Sequence, residues 1–149
     1  MSTAAPAIPP LVIESTLLGR LEVPADRVLT FAAGLPGFEG QRRFVLVETQ
    51  RDGLHWLQSV DDAGLSILLA DPFRFVEGYE VDVPAADLAA LGPAGDEGVL
   101  VLAVTVIEHG LTGAMNLQGP IVVNPATRLA KQVIFPESSF GMAYPATFG

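Results

Sequence analysis

At 149 residues, half of them hydrophobic and 17% charged, the chain is one domain long enough to bury a core, which excludes wholesale disorder. Cysteine is absent, so a disulfide framework, thiolate zinc sites and a cysteine nucleophile are ruled out, and a reducing cytoplasm fits. A net charge of −9, from 17 acidic against 8 basic residues, gives no basic footprint for nucleic-acid phosphates and favours a basic protein partner.

Residues 1–10 are rich in Ala and Pro, carry no basic region or long apolar run, and read as a flexible tail rather than a signal peptide. Leu11 to Val23 predicts two strands meeting at Gly19, where a positive dihedral or a bulge is permitted. Val28 to Phe31 is a short β-type run. It enters Gly34-Leu35-Pro36-Gly37-Phe38-Glu39-Gly40, whose composition admits no regular element, and Phe38 is expected to pin that loop to the core.

Phe44 to Glu48 and Leu54 to Val60 predict strands joined through Arg51-Asp52-Gly53, since Asp-Gly is a strong turn signal. Asp61-Asp62 then marks a tight turn into Ser66 to Ala70, because aspartate accepts hydrogen bonds from turn backbone. The lack of alternation in Ser66 to Ala70 implies that both faces of that strand are covered. Trp56 precedes the Asp-Asp turn, and Phe73, Phe75 and Tyr79 follow Asp71-Pro72. Aromatics near exposed carboxylates suit a binding surface, and equally a core with a polar turn. The core reading ranks first, and Phe31, Trp56 and Leu57 are assigned to it.

Residues 84–91 predict the one helix. Pro84 fits its start, the alanines favour it, and Gly92 stands where a C-terminal cap belongs. Val99 to Glu108 is rich in β-branched residues and apolar on both faces, so it is a central strand or a barrel wall. Within it, Val99 to Ile107 is the longest apolar run, far short of the roughly 20 residues of a membrane-spanning helix. Leu111 to Leu117, Ile121 to Asn124 and Arg128 to Phe135 complete the strands, and residues 137–149 show no periodicity. The expectation is an all-β domain over residues 11–136, either β-barrel-like or two packed antiparallel sheets, with irregular tails.

No catalytic or cofactor motif stands out. His55 and His109 form no metal-ligand pair, and HExxH, GxSxG and phosphate-loop patterns are missing. Asp61, Asp62 and Asp71 suggest a metal-dependent hydrolase only if the fold brings them together around a substrate. A small-molecule-binding β-barrel is a further alternative. Asn116 and Asn124 read as turn formers or contact residues alike.

Three blocks carry a resemblance. The first is Thr30-Phe31, Gly34-Leu35-Pro36-Gly37-Phe38-Glu39 and Arg43-Phe44-Val45-Leu46. The second is Trp56-Leu57-Gln58-Ser59-Val60-Asp61-Asp62, with Asp71-Pro72-Phe73 and Tyr79-Glu80-Val81. The third is Asn116-Leu117-Gln118-Gly119-Pro120-Ile121-Val122-Val123-Asn124, with Gln132-Val133-Ile134. In this order they resemble the FliW family of flagellar assembly factors. The N-terminal tail, Leu111 to Met115 and the stretch beyond Pro136 depart from its pattern.

The resemblance implies a small, cytoplasmic, β-barrel-like protein without catalytic activity, cofactor or metal. It implies two partners: CsrA, a dimeric RNA-binding repressor contacted away from its RNA face, and flagellin, which competes for the factor. Binding CsrA releases flagellin synthesis from repression, and free flagellin, by competing for the factor, releases CsrA again. Neither nucleic acid nor membrane is bound directly. The expected contact surface comprises Asp61, Asp62, Asp71, Phe73, Tyr79, Glu80, Asn116 and Gln118.

Overall fold

Strand pairing follows the turn signals. The computed structural model describes residues 9–148 and holds eleven strands in two sheets. The strands β1 (Leu11–Ser15) and β2 (Gly19–Val23) form a separate antiparallel hairpin that turns at Gly19. The remaining strands are β3 (Leu29–Thr30), β4 (Arg43–Glu48), β5 (Leu54–Ser59), β6 (Ser66–Ala70), β7 (Leu100–His109), β8 (Thr112–Met115), β9 (Ile121–Asn124), β10 (Leu129–Gln132) and β11 (Tyr144–Thr147). Neighbours pair in the order β7, β6, β5, β4, β3, β10, β9, and β9 pairs back onto β7, so these seven strands close into a barrel. The one parallel step joins β3 to β10. Closure removes the sheet edges that an open arrangement exposes.

The length of β7 makes closure possible. Its first part, Leu100 to Leu102, pairs with β9, and its last part, from Thr105, pairs with β8, which in turn carries β11. Alternate residues point inward, where Phe31, Phe44, Leu57, Leu69, Leu102 and Ile121 form the barrel core. The rings of Phe31 and Phe44 meet edge to face at 5.3 Å. Side chains fill the barrel core, and the barrel-strand residues Leu29, Leu46, His55 and Val123 also line a cavity of about 690 Å³.

The outer wall is covered as well. A second cluster packs Leu54, Ala70 and Ala103 beneath Val76, Tyr79, Met115, Leu117 and Phe148. This is why β6 lacks alternation: Leu69 faces inward and Ala70 outward, and both are fully buried. A third cluster sets Leu91 against Val101, Val122 and Val133. Leu91 follows the helix α2 (Ala85–Ala90), and Gly92 takes the positive dihedral expected of its cap, φ 81°. Lys131 of β10, the only lysine, pairs with Asp87 of α2 at 2.6 Å.

Several expectations are corrected. A second helix, α1 (Pro72–Phe75), follows Asp71, whose side chain accepts the Phe73 N–H as its N-cap. Residues 137–149, expected to be irregular, supply β11 and the buried Phe148. Leu35, not Phe38, pins the glycine-rich loop: Leu35 is buried and Phe38 exposed. Trp56 is only half-buried, although Phe31 and Leu57 are core as expected. The last predicted strand shortens to Leu129–Gln132, because Arg128 turns with φ 62° and Val133 donates to Pro120 O instead of continuing the ladder. Expectations about residues 1–8 lie outside the described residues.

Candidate interaction surface

The eight expected contact residues are spread over several segments of the chain. Asp61 and Asp62 occupy the turn before β6 and Asp71 follows its end, so the two ends are about 17 Å apart at strand rise. The Asp61, Asp62 and Asp71 carboxylates therefore fail to converge on a substrate, which corrects the hydrolase alternative. Among the described residues, no group of three or more His, Asp or Glu side chains could hold a metal ion.

At the Asp-Asp turn, most of the polarity is spent on the fold. The fully buried Gln58 accepts from the Ser15 and Ser66 hydroxyls and donates to Ser59 O and Asp62 O, which locks the hairpin and the turn to β5. The Ser59 hydroxyl accepts from the Asp61 and Asp62 N–H groups. Asp61 forms a two-pronged pair with Arg43, at 2.6 and 3.2 Å. That hydrogen bond, and then the charge of Asp61, raise the Arg43 pKa above its ordinary value. Asp62 accepts from Gly64 N–H. Both carboxylates are exposed, and among the described residues only Asp61 has a cationic partner.

At the other end, the third sequence block builds a loop between β8 and β9. Asn116 Oδ1 accepts from the N–H groups of Gln118 and Gly119, and Gln118 donates to Pro136 O. Asn116 is thus a turn former. Asn124 has the same character and greater reach. It is fully buried, donates to the carbonyls of Leu91, Gly92 and Pro93, and accepts from Ala126 and Thr127 N–H.

Tyr79 was expected at the surface and is instead only 7% exposed. It is buried by residues distant in sequence, in an aromatic chain that runs Phe73 to Tyr79 (5.1 Å), Tyr79 to Phe140 (5.4 Å) and Phe140 to Tyr144 (5.5 Å). Phe73 remains exposed at the end of the chain. The Tyr79 hydroxyl is buried without a hydrogen-bond partner among the described residues, and burial pushes its pKa above the ordinary value. An unpaired buried hydroxyl costs about 1–3 kcal/mol, part of which apolar replacement recovers. Tyr79→Phe is therefore expected to raise stability by about 1 kcal/mol, read as a higher urea midpoint. A lower midpoint would mean that the hydroxyl has a partner.

Tyr79 also lines a cleft of about 540 Å³ between Glu80–Pro84 and residues 134–140, with Leu117 in its wall. Glu80 belongs to this cleft, and Phe73 and Tyr79 stand beside it through their ring contact. Sequence reading missed Phe140 and Glu137 here, because residues 137–149 show no period. Their aromatic content was the only signal available.

Comparison with known proteins places this geometry. The family model described as FliW protein matches residues 12–146, nearly the whole chain and beyond Pro136. The chain is 36% identical over 136 residues to the flagellar assembly factor FliW of Natranaerobius thermophilus, covering 89% of this chain and 90% of that protein. It is 38% identical over 122 residues to that of Treponema pallidum, with 81% of each chain covered. A crystal structure of a flagellar assembly factor FliW superposes with a TM-score of 0.81 at 30% identity, covering 89% of this chain and 94% of that one. With the barrel and the three sequence blocks in their expected order, the chain belongs to the FliW family of flagellar assembly factors.

Proposed function

We propose that this flagellar assembly factor is a non-enzymatic partner switch: it binds CsrA, relieves repression of flagellin synthesis, and releases CsrA when flagellin competes. The observation that carries this reading is family membership over residues 12–146. The net charge of −9 supports it, since an acidic surface speeds encounter with a basic RNA-binding protein. The site of action is the cytoplasm, where both partners are made; no helix of the described residues is long and apolar enough to cross a membrane.

Isothermal titration with the CsrA of the same cell, alone and with flagellin present, tests the proposal. The expected result is a Kd below about 1 µM that flagellin abolishes. CsrA binding that persists unchanged with flagellin bound would sink the switch. Retained flagellin binding without CsrA binding would leave a flagellin chaperone.

The exposed Asp61 and Asp62 are proposed CsrA contacts. Asp61→Lys with Asp62→Lys is expected to weaken CsrA binding about tenfold, mainly through the association rate and most strongly at low salt. The fold should survive, because an exposed pair such as Arg43–Asp61 contributes only about 0–1 kcal/mol. Unchanged affinity in the folded double variant removes this turn from the interface.

A further inference from the structure

We infer that the cleft beside Tyr79 is a docking site for an extended peptide of alternating apolar and basic residues, which adds as a strand along Glu80–Val83. The site stands whether or not the chain also binds CsrA or flagellin. Three observations converge on it.

The first is a strand without a ladder. From Tyr79 to Pro84 burial alternates, with Tyr79, Val81 and Val83 inward and Glu80, Asp82 and Pro84 outward. This is the period of a half-buried β-strand. Yet the segment joins no sheet, and among the described residues no main-chain N–H or C=O of Glu80, Val81, Asp82 or Val83 bonds to another main-chain group. Such an edge is a template for another chain. At strand rise it offers about 13 Å of unused donors and acceptors.

The second is an apolar floor. Leu117, Phe135 and Phe140 line the cleft with Tyr79, and Ile134 is 55% exposed at its side. The third is charge. Glu80, Asp82 and Glu137 rim the cleft, no Lys, Arg or His lines it, and none of the three carboxylates takes part in an ion pair among the described residues.

An occupant must therefore supply main-chain partners, apolar side chains on one face, and cations on the other. Strand addition by an extended peptide supplies all three, with the main chain giving affinity and alternate side chains giving selectivity. A small apolar ligand leaves the main chain and the carboxylates unmet, and an acidic peptide is repelled.

The probe is a fluorescein-labelled synthetic peptide in which Lys alternates with Val, titrated into the full chain by anisotropy. It is compared with a peptide of the same composition in two blocks, and with two versions N-methylated on the amides of one edge or of the other. The alternating peptide is expected to bind at least about tenfold more tightly than the block peptide. One N-methylated version should lose binding and the other keep it, because only one edge of an added strand pairs. Glu80→Lys with Asp82→Lys should weaken binding by at least about tenfold with an unchanged melting temperature, since both side chains are exposed.

Equal binding of the block peptide, or of both N-methylated versions, would reduce the effect to bulk charge and overturn the proposal. So would the absence of binding, or wild-type affinity in the folded double variant. A concentration-dependent dimer that Glu80→Lys with Asp82→Lys dissociates and the peptide does not would assign the strand to a second copy instead.

Discussion

Deleting residues 137–149 is expected to destabilise the protein by about 5 kcal/mol, from the loss of three partly or fully buried aromatics at about 1.5–3 kcal/mol each. The segment looks dispensable in sequence but finishes the second core cluster. Phe148 is 3% exposed, meets Phe75 edge to face at 4.9 Å and donates its N–H to Leu111 O. Phe140 and Tyr144 continue the aromatic chain from Tyr79, and β11 pairs with β8 over Tyr144 to Thr147. Without them Tyr79, Met115 and Leu117 face water, β8 becomes an edge strand, and the cleft loses one wall. Urea unfolding followed by Trp56 fluorescence measures the effect, with the full chain as reference. A loss below about 1 kcal/mol would show the segment to be peripheral, since surface changes are usually that small.

The second large effect is expected at Asn124. Asn124→Asp keeps the shape but replaces an amide that donates to Leu91, Gly92 and Pro93 carbonyls with a carboxylate that cannot donate. The new charge faces three carbonyl oxygens in a fully buried position, and only the Ala126 and Thr127 N–H groups favour it. A cost of about 3 kcal/mol or more is expected at pH 7, with the end of α2 released from β9.

The pH dependence separates charge from lost hydrogen bonds. Repulsion raises the folded pKa of the new carboxyl above its unfolded value of about 3.9. The variant's deficit relative to the native chain is therefore smallest below that value and grows as pH rises through the folded pKa. A deficit independent of pH would show that the lost donors, not the charge, decide the outcome. Asn124→Ala, which carries neither, is expected to fall between the two at neutral pH.

Both predictions concern residues whose weight is invisible one position at a time. Asn124 looked like a turn former or a contact residue; only the fold brings three carbonyls from the end of α2 to its amide. Its role toward Ala126 and Thr127 was legible, because an asparagine side chain bonding two residues ahead is local chemistry. The same holds for Asn116 and for Asp71, which caps α1 through Phe73. The helix itself was missed, since one turn is too short to show a period.

Local rules decided a good deal. Alternation, β-branched density and the Asp-Gly and Asp-Asp turns placed β4, β5, β6 and β7, and the Pro84 to Gly92 pattern placed α2. These signals act within a few residues, where backbone sterics and side-chain entropy dominate. Gly53 shows the boundary. Its φ of 83° is what an Asp-Gly turn demands, but a Cβ there would also lie 2.6 Å from Arg74 and 2.9 Å from Phe75, a constraint set by α1.

What only the tertiary structure decided was pairing across distance and the burial that follows from it. Closure of β9 onto β7 and the capture of β11 by β8 depend on contacts between segments that no local pattern encodes. Tyr79 carries the lesson in one residue. Its neighbours in sequence, Gly78 and Glu80, are exposed, and it is buried because Phe140, some sixty positions away, packs on its ring. Burial is a property of the closed surface, and an aromatic side chain takes whichever side of it the rest of the chain leaves covered.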